Sequence, residues 1–219
     1  MRLPYTPNPP APATPEEQAI VSRIAARRAP RPLQPLDLAL LHAPPVADGW
    51  NAFLGAVRTR TSLDARVREL AICRVAVCNR AWYEWGHHAP LAVEAGVGVD
   101  ALGVVRRGEL VPLSTGGEGE GGKGKGDVEG EEEEKARKEA ESVGLGEREW
   151  AALRYADEMT RKVEVSDAVF AALRRMFSER EIVEVTATVA AYNCVSRFLV
   201  ALDVGERNGT GPDDVAAGH

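Results

Sequence analysis

Apolar residues recur at three- and four-residue intervals along most of this chain, and prolines and glycines separate the segments. This period is that of one face of an α-helix, whereas a half-buried strand alternates strictly between apolar and polar residues. No segment alternates in that way. The pattern predicts an all-α fold, and its clearest stripe consists of Val67, Leu70, Ala71, Arg74 and Val75.

Capping signals predict where the individual helices begin and end. Thr14 and Pro15 predict a helix start, Ser62 or Asp64 can cap the striped helix, and Gly96 suits the end of the next one. The predicted helices cover approximately 16–28, 50–61, 64–79, 81–95, 145–159, 167–176 and 179–202, with a short apolar stretch at 36–41. Pro44 and Pro45 are expected to break the chain.

The domain organisation follows from composition. Six prolines among residues 1–15 predict an extended N-terminal arm, and residues 16–205 are expected to form one helical domain. Residues 116–142 hold eight glycines and almost no apolar side chains, so we predict a disordered insertion with a helical tail over 131–141. Residues 206–219 are expected to form a flexible C-terminal tail.

Charge and cysteine usage exclude several functions. The net charge is -6, and residues 116–142 carry ten acidic and five basic side chains, so about -1 is left for the rest of the chain. No basic face indicates nucleic acid. Cys73, Cys78 and Cys194 lack the CxxC spacing of redox and zinc sites. With no secretory signal and no long apolar run, we expect a cytoplasmic protein that neither spans nor binds a membrane.

Glu84 and His88 are the strongest candidates for chemistry on spacing alone. They are four residues apart, so on a helix they lie on one face within contact distance. A surface ion pair is the alternative interpretation of that spacing. The aromatic neighbours Trp82, Tyr83 and Trp85 favour a partly desolvated pair with shifted pKa values, which is typical of a functional site.

The runs Arg68-Glu69-Leu70, Tyr83-Glu84-Trp85 and Ala95-Gly96 resemble the carboxymuconolactone decarboxylase family. The wider alkylhydroperoxidase D-like superfamily has a Glu, a CxxC eleven residues later and a His after three more. Glu69 matches that Glu, Ala81 and Glu84 fall on the two cysteine positions, and His88 matches the His. The resemblance implies a helical bundle with a central helical hairpin, and a homo-oligomer, either a trimer or a hexamer.

The missing thiols favour decarboxylation over peroxide reduction, because peroxide reduction needs a nucleophilic and a resolving cysteine. We expect a cofactor-independent carboxy-lyase, without a metal, acting on a small carboxylated lactone, aromatic or polyketide-like acid. His88 is the expected proton donor, oriented by Glu84, and Glu69 shares in the proton relay. The expected substrate-binding residues are Tyr83, Trp85, His87, Tyr192 and Arg197. A thiol peroxidase using Cys78 and a non-catalytic helical oligomer are the alternatives.

Overall fold

The structure, a computed structural model, describes residues 1–111 and 125–214, with the side chains of 125–129 left undescribed. The described residues contain helices and no strands, so the predicted all-α class is confirmed. In chain order the helices are α1 (Pro15–Arg28), α2 (Pro35–Leu40), α3 (Pro44–Thr59), α4 (Ala65–Asn79), α5 (Trp82–Glu94), α6 (Val99–Val105), α7 (Lys125–Ser142), α8 (Glu147–Lys162), α9 (Asp167–Met176) and α10 (Glu179–Leu202).

Helix α4 is the centre of the bundle, in contact with α5, α6, α8 and α10. Its residues 69–77 are all buried, as expected of a helix that has neighbours on every side. Val67, Ala71, Ile72 and Val75 contribute to one part of the core, where α1, α3 and α10 meet. Leu70, Cys73 and Ala76 contribute to the other part, beside α5, α6 and α8. Helix α4 therefore separates two hydrophobic clusters.

The hairpin of α4 and α5 is defined by local capping interactions. The carboxylate of Asp64 accepts hydrogen bonds from the backbone amides of Arg66 and Val67, at 2.9 and 3.3 Å. Arg80 takes the left-handed conformation, with φ of 54°, and ends α4 two residues before α5 begins. Gly96 has φ of +90° and ends the hairpin. The predicted hairpin is confirmed.

Two local predictions were wrong. Pro44 and Pro45 occupy the first turn of α3 instead of breaking the chain, because amides in the first turn have no intrahelical acceptor to lose. Helix α6 was not predicted, since its seven residues include Gly103 and are too few to establish a period.

The helical tail predicted over 131–141 lies within α7, which begins earlier, at Lys125, so the disorder predicted for 125–130 is wrong. For residues 116–124 the prediction lies outside the described residues. Ala136 and Ala140 are buried in the core cluster beside α8. The Arg154 guanidinium binds Glu133, at 2.7 Å. Small buried side chains and ion pairs thus attach this strongly polar helix to the core. The low apolar content of the segment did not indicate that attachment.

The N-terminal arm meets the chain at the C-terminal end of α10. The backbone amide of Arg2 donates to the carbonyl of Leu202 at 2.7 Å, and Thr6 donates through its hydroxyl to the carbonyl of Leu38 at 2.8 Å. Beyond α10, the Asn208 amide group donates to the Val200 carbonyl at 2.7 Å. The flexibility predicted for the tail stays a prediction, and residues 215–219 lie outside the described residues.

Helix α10 is, among the described helices, the one long and apolar enough to cross a membrane by length and composition. It packs against α3, α4, α5, α8 and α9. Val185, Val189 and Leu199 of this helix are buried in the core. Core helices of globular folds have the same composition, and these contacts assign α10 to that class.

Replacing Ala140 by Asn tests whether α7 belongs to the folded core. Ala140 is fully buried, so the larger amide side chain should lower the free energy of unfolding by about 2–4 kcal/mol through overpacking and desolvation. Glu141→Asn, at the exposed neighbouring position, is the matched control and should change it by about 0.5 kcal/mol or less. Chemical denaturation measures both. Equal stability of the two variants would show that α7 does not pack on α8.

Candidate active site

Glu69 and His88 form a buried hydrogen bond between the two helices of the hairpin. The distance between Glu69 Oε2 and His88 Nδ1 is 2.6 Å, and the two residues are 4% and 5% exposed. Both side chains point inwards because α4 is enclosed on all sides and α5 packs directly upon it. With Nδ1 engaged by Glu69, Nε2 is the ring nitrogen that can exchange a proton with a bound molecule.

The surroundings of this pair determine its protonation. Burial lowers the pKa of His88 by more than the hydrogen bond to Glu69 raises it. For Glu69, burial acts to raise the pKa, but the hydrogen bond from His88 and the nearby positive charges lower it below its ordinary value. At neutral pH the free protein therefore holds an ionised Glu69 and a neutral imidazole, with the ring proton on Nδ1.

Glu84 is a second buried acid, held by a residue from the other end of the chain. The Ser196 hydroxyl of α10 lies 3.0 Å from each of the two Glu84 carboxyl oxygens. Burial raises the pKa of Glu84 well above its ordinary value, and the hydrogen bond from Ser196 offsets this only in part. Burial therefore favours the protonated, neutral form of Glu84. The prediction that Glu84 orients His88 was wrong, because Glu69 occupies that role on Nδ1.

Aromatic rings enclose the His88 side chain and its neighbour. The Tyr192 ring meets the imidazole of His88 edge-on, with 4.9 Å between centroids. His87 lies against the Tyr83 ring at 4.4 Å, and its Nδ1 is 2.8 Å from the Tyr83 carbonyl oxygen. The Tyr83 ring also touches Gly205, where φ is +76° and an added Cβ would lie 2.3 Å from the ring. Glycine at 205 thus allows the C-terminal turn to fix Tyr83 in place.

Tyr83, Glu84, His87, His88 and Tyr192 line one cavity of about 80 Å³. The structure therefore brings together five of the predicted site residues, with Glu69 directly behind His88. Trp85 and Arg197 do not line this cavity. Trp85 is buried in the core cluster beside α6 and α8, and Arg197 donates to the Asn193 carbonyl at 3.2 Å.

Tyr83, which lines this cavity, has a hydroxyl group that forms almost no hydrogen bonds within the described part of the protein. It is buried, and apart from an approach to the backbone of Leu36 it has no hydrogen-bond partner in the described part of the chain. Burial raises its pKa, so it keeps its proton. The hydroxyl can therefore donate to an oxygen of a bound molecule.

Four arginines complete the cavity lining, and none of them was predicted from the sequence. Arg27 and Arg28 end α1, Arg31 follows in the loop, and Arg58 comes from α3. The spacing of Arg27, Arg28 and Arg31 was visible in the sequence, but nothing there placed Arg58 beside them. A positive wall around a buried acid-base pair indicates an anionic ligand.

The cysteines lie away from this cavity. Cys73 is fully buried, and Cys78 donates through its thiol to Asp157 at 3.2 Å. Burial raises the pKa of Cys73 well above its ordinary value and, assisted by Asp157, raises that of Cys78 to about 12. Cys194 is exposed on α10. A thiolate at the site would require a cysteine in the cavity lining, and none is there.

Residues 44–114 match the carboxymuconolactone decarboxylase (CMD) family. This stretch runs from the start of α3 to beyond α6 and contains Glu69, Glu84 and His88. The match includes both helices of the hairpin, whereas Ser196 and Tyr192 lie outside it.

Solved structures of low sequence identity share the CMD-like fold. The alkylhydroperoxidase AhpD core of an uncharacterized peroxidase-related protein from Ralstonia eutropha has a TM-score of 0.67 at 16% identity, covering 98% of this chain and 93% of that one. A peroxidase-related protein from Silicibacter sp. has a TM-score of 0.63 at 16% identity, covering 94% and 95%. The debrominase Bmp8, a cysteine-to-alanine variant with 2,3,4-tribromopyrrole, has a TM-score of 0.60 at 14% identity, covering 92% and 90%.

These likenesses confirm the alkylhydroperoxidase D-like helical fold, and at such identities they show the fold alone. No curated protein matches the sequence. Within residues 1–111 and 125–214, no three His, Cys, Asp or Glu side chains are grouped so that they could hold a metal ion.

Thiol reactivity tests the assignment of the cysteines. In the native protein, an aromatic disulfide reagent at neutral pH should modify Cys194 rapidly and leave Cys73 and Cys78 unmodified, because burial keeps those two protonated and covered. Mass spectrometry of the digested protein locates the label, and Cys194→Ser is the control that should abolish the fast phase. Fast labelling of Cys78 would contradict its raised pKa.

Proposed function

We propose that this CMD-like protein is a cofactor-independent carboxy-lyase that acts on a small carboxylated lactone, aromatic or polyketide-like acid. The observation that carries the proposal is the buried Glu69–His88 pair, whose His88 faces a cavity lined by arginines and by the buried Glu84. Such a cavity admits an anion and supplies a group that can move one proton. Membership of the matched region in the CMD family supports the same reaction class.

Loss of carbon dioxide leaves an electron pair on the substrate carbon. Without an organic cofactor, a conjugated lactone or keto group of the substrate itself must accept that pair as an enolate. The protein then has two tasks, which are to hold the carboxylate where water solvates it poorly and to protonate the enolate. The arginines at the cavity wall attract the anion, and the rings of Tyr83 and Tyr192 line the cavity beside His88.

His88 supplies the proton in this mechanism. Its imidazole is neutral in the free protein, but a bound carboxylate adds a second negative charge beside it, opposite Glu69. Two anions favour proton uptake at Nε2, so substrate binding brings one proton into the site. When the carbon–carbon bond breaks, the released pair takes that proton from Nε2. The imidazole is then neutral again. The products are carbon dioxide and the substrate with a hydrogen atom in place of its carboxyl group.

Glu84 and Tyr83 support this step without exchanging the proton. A neutral Glu84 leaves the cavity free of a charge that would repel the substrate carboxylate. The Tyr83 hydroxyl donates to the substrate oxygen on which the enolate charge develops, and this interaction strengthens as the bond breaks.

The two alternatives receive less support from the site. A thiol peroxidase needs a nucleophilic thiolate, and Cys78 is held protonated by burial at a distance from the cavity lining. A non-catalytic oligomer needs no acid–base pair at a cavity, and burying one costs stability. Assembly into a trimer or hexamer and a cytoplasmic location stay predictions.

Substitutions at the pair test the proposed roles on a panel of conjugated carboxylated lactones, with release of carbon dioxide as the measurement. His88→Gln and Glu69→Gln should each lower turnover by about 10²–10⁴-fold, because Gln cannot titrate. The double variant should be little worse than the worse single variant, since the residues act as one unit. His42→Gln, at an exposed histidine, is the matched control and should keep full turnover.

Three outcomes of this experiment would contradict the assignment. Full turnover in His88→Gln together with loss in His87→Gln would identify the other histidine as the proton donor. Full activity of every variant would place the site elsewhere. Peroxide-dependent turnover that disappears in Cys78→Ser would establish the thiol peroxidase instead.

A further inference from the structure

A second and larger cavity of about 480 Å³ adjoins the inner one. The two share six lining residues, which are Arg27, Arg28, Arg31, Gln34, Arg58 and Leu91. The inner cavity of about 80 Å³ is smaller than the roughly 150 Å³ that takes a benzene ring, so it holds little more than the reacting end of a substrate. The remainder of any ring-sized acid must lie in the outer chamber.

The outer chamber carries an excess of positive charge in a chain whose net charge is -6. Arg68 joins the four arginines of the inner cavity, and the acidic lining residues are Glu69 and Glu94. Asp37 accepts two hydrogen bonds of 2.8 Å from Arg28 behind the wall. Five guanidinium groups thus face three carboxylates, which leaves two positive charges uncompensated.

Arg31 and Arg58 are the arginines that provide this excess. Arg28 is bound to Asp37, Arg27 donates to Asn51, and Arg68 lies 3.3 Å from Glu69. The side chains of Arg31 and Arg58 have no hydrogen-bonded partner in the described part of the chain, although Arg58 is half-buried. Their guanidinium donors are available to a ligand in the chamber.

We propose that the outer chamber binds a phosphate group, so that the acid decarboxylated at His88 carries a phosphate ester or diphosphate at its other end. A phosphate monoester has a charge of about -1.5 to -2 at neutral pH, which matches the two uncompensated charges, whereas a second carboxylate would leave one over. Guanidinium groups bind phosphate oxygens in a bidentate manner. The link to decarboxylation rests on the proposed function, whereas phosphate binding itself does not.

A phosphate group remote from the reacting carbon also suits the reaction. Binding energy from a part of the substrate that does not react can hold the carboxylate in a poorly solvated pocket. The phosphate group would lie among arginines from α1, α3 and α4, and α1 and α3 also line the inner cavity.

Calorimetric titration of the full chain tests the chamber without any turnover. The probes are inorganic pyrophosphate, inorganic phosphate and succinate, at constant ionic strength. Pyrophosphate should bind at least about tenfold more tightly than succinate. The variant Arg31→Gln/Arg58→Gln should weaken pyrophosphate binding about ten- to hundredfold. Both arginines lack a carboxylate partner, so their removal leaves no buried acid unpaired, and the variant should fold.

Two further variants separate the possible causes of failure. Arg175→Gln, at an exposed arginine of α9, should bind pyrophosphate as the wild type does. His42→Gln should also bind it normally, because His42 is exposed and lines neither cavity. If pyrophosphate binds but no acid is decarboxylated, the phosphate site in the outer chamber is supported and only the proposed reaction is contradicted. The assignment would be overturned if succinate bound as tightly as pyrophosphate, or if the double variant bound pyrophosphate as the wild type does. Preferred binding of a short oligonucleotide would also overturn it.

Discussion

The hydrogen bond between Glu69 and His88 is the interaction on which the rest of the site depends. Both groups are buried, so burying either one without the other would lower the stability of the fold. The hydrogen bond of 2.6 Å between them offsets that cost. The contact requires α4 and α5 to lie side by side, and the left-handed Arg80 provides the tight connection. One pair thus fixes the imidazole tautomer and leaves Nε2 available for a proton.

The same helix carries a second buried charge, which stabilises the opposite side of the bundle. The guanidinium of Arg74 is fully buried and donates to Asp157 of α8 and to the carbonyl of Val105 at the end of α6, each at 2.7 Å. Helices α5 and α10, which carry most of the residues around His88, pack on this framework. Helix α10 supplies Ser196 to Glu84 and Tyr192 to His88, so the catalytic surroundings are completed by residues more than a hundred positions away in sequence.

The sequence contained most of the fold because helix ends are encoded locally, as at Asp64 and Gly96. It indicated a helical tail over 131–141 but not that this helix packs on the core, because two alanines and ion pairs take the place of an apolar stripe in α7. Five residues singled out in the sequence line the inner cavity, but their hydrogen-bond partners were not predicted. Spacing on one helix suggested Glu84 and His88, whereas His88 bonds to a residue of α4 and Glu84 bonds to a residue of α10. The arginine wall combines three segments, which no local pattern shows.

The central claim is that one buried carboxyl of the cavity stays neutral while its neighbour Glu69 is ionised. Infrared difference spectroscopy between wild type and Glu84→Gln, at neutral pH, measures this directly. We predict a carbonyl stretching band of a protonated carboxyl in the wild type that disappears in Glu84→Gln and persists in Glu69→Gln. If the wild type lacks that band, or if it disappears only in Glu69→Gln, the assignment of charges in the cavity is contradicted.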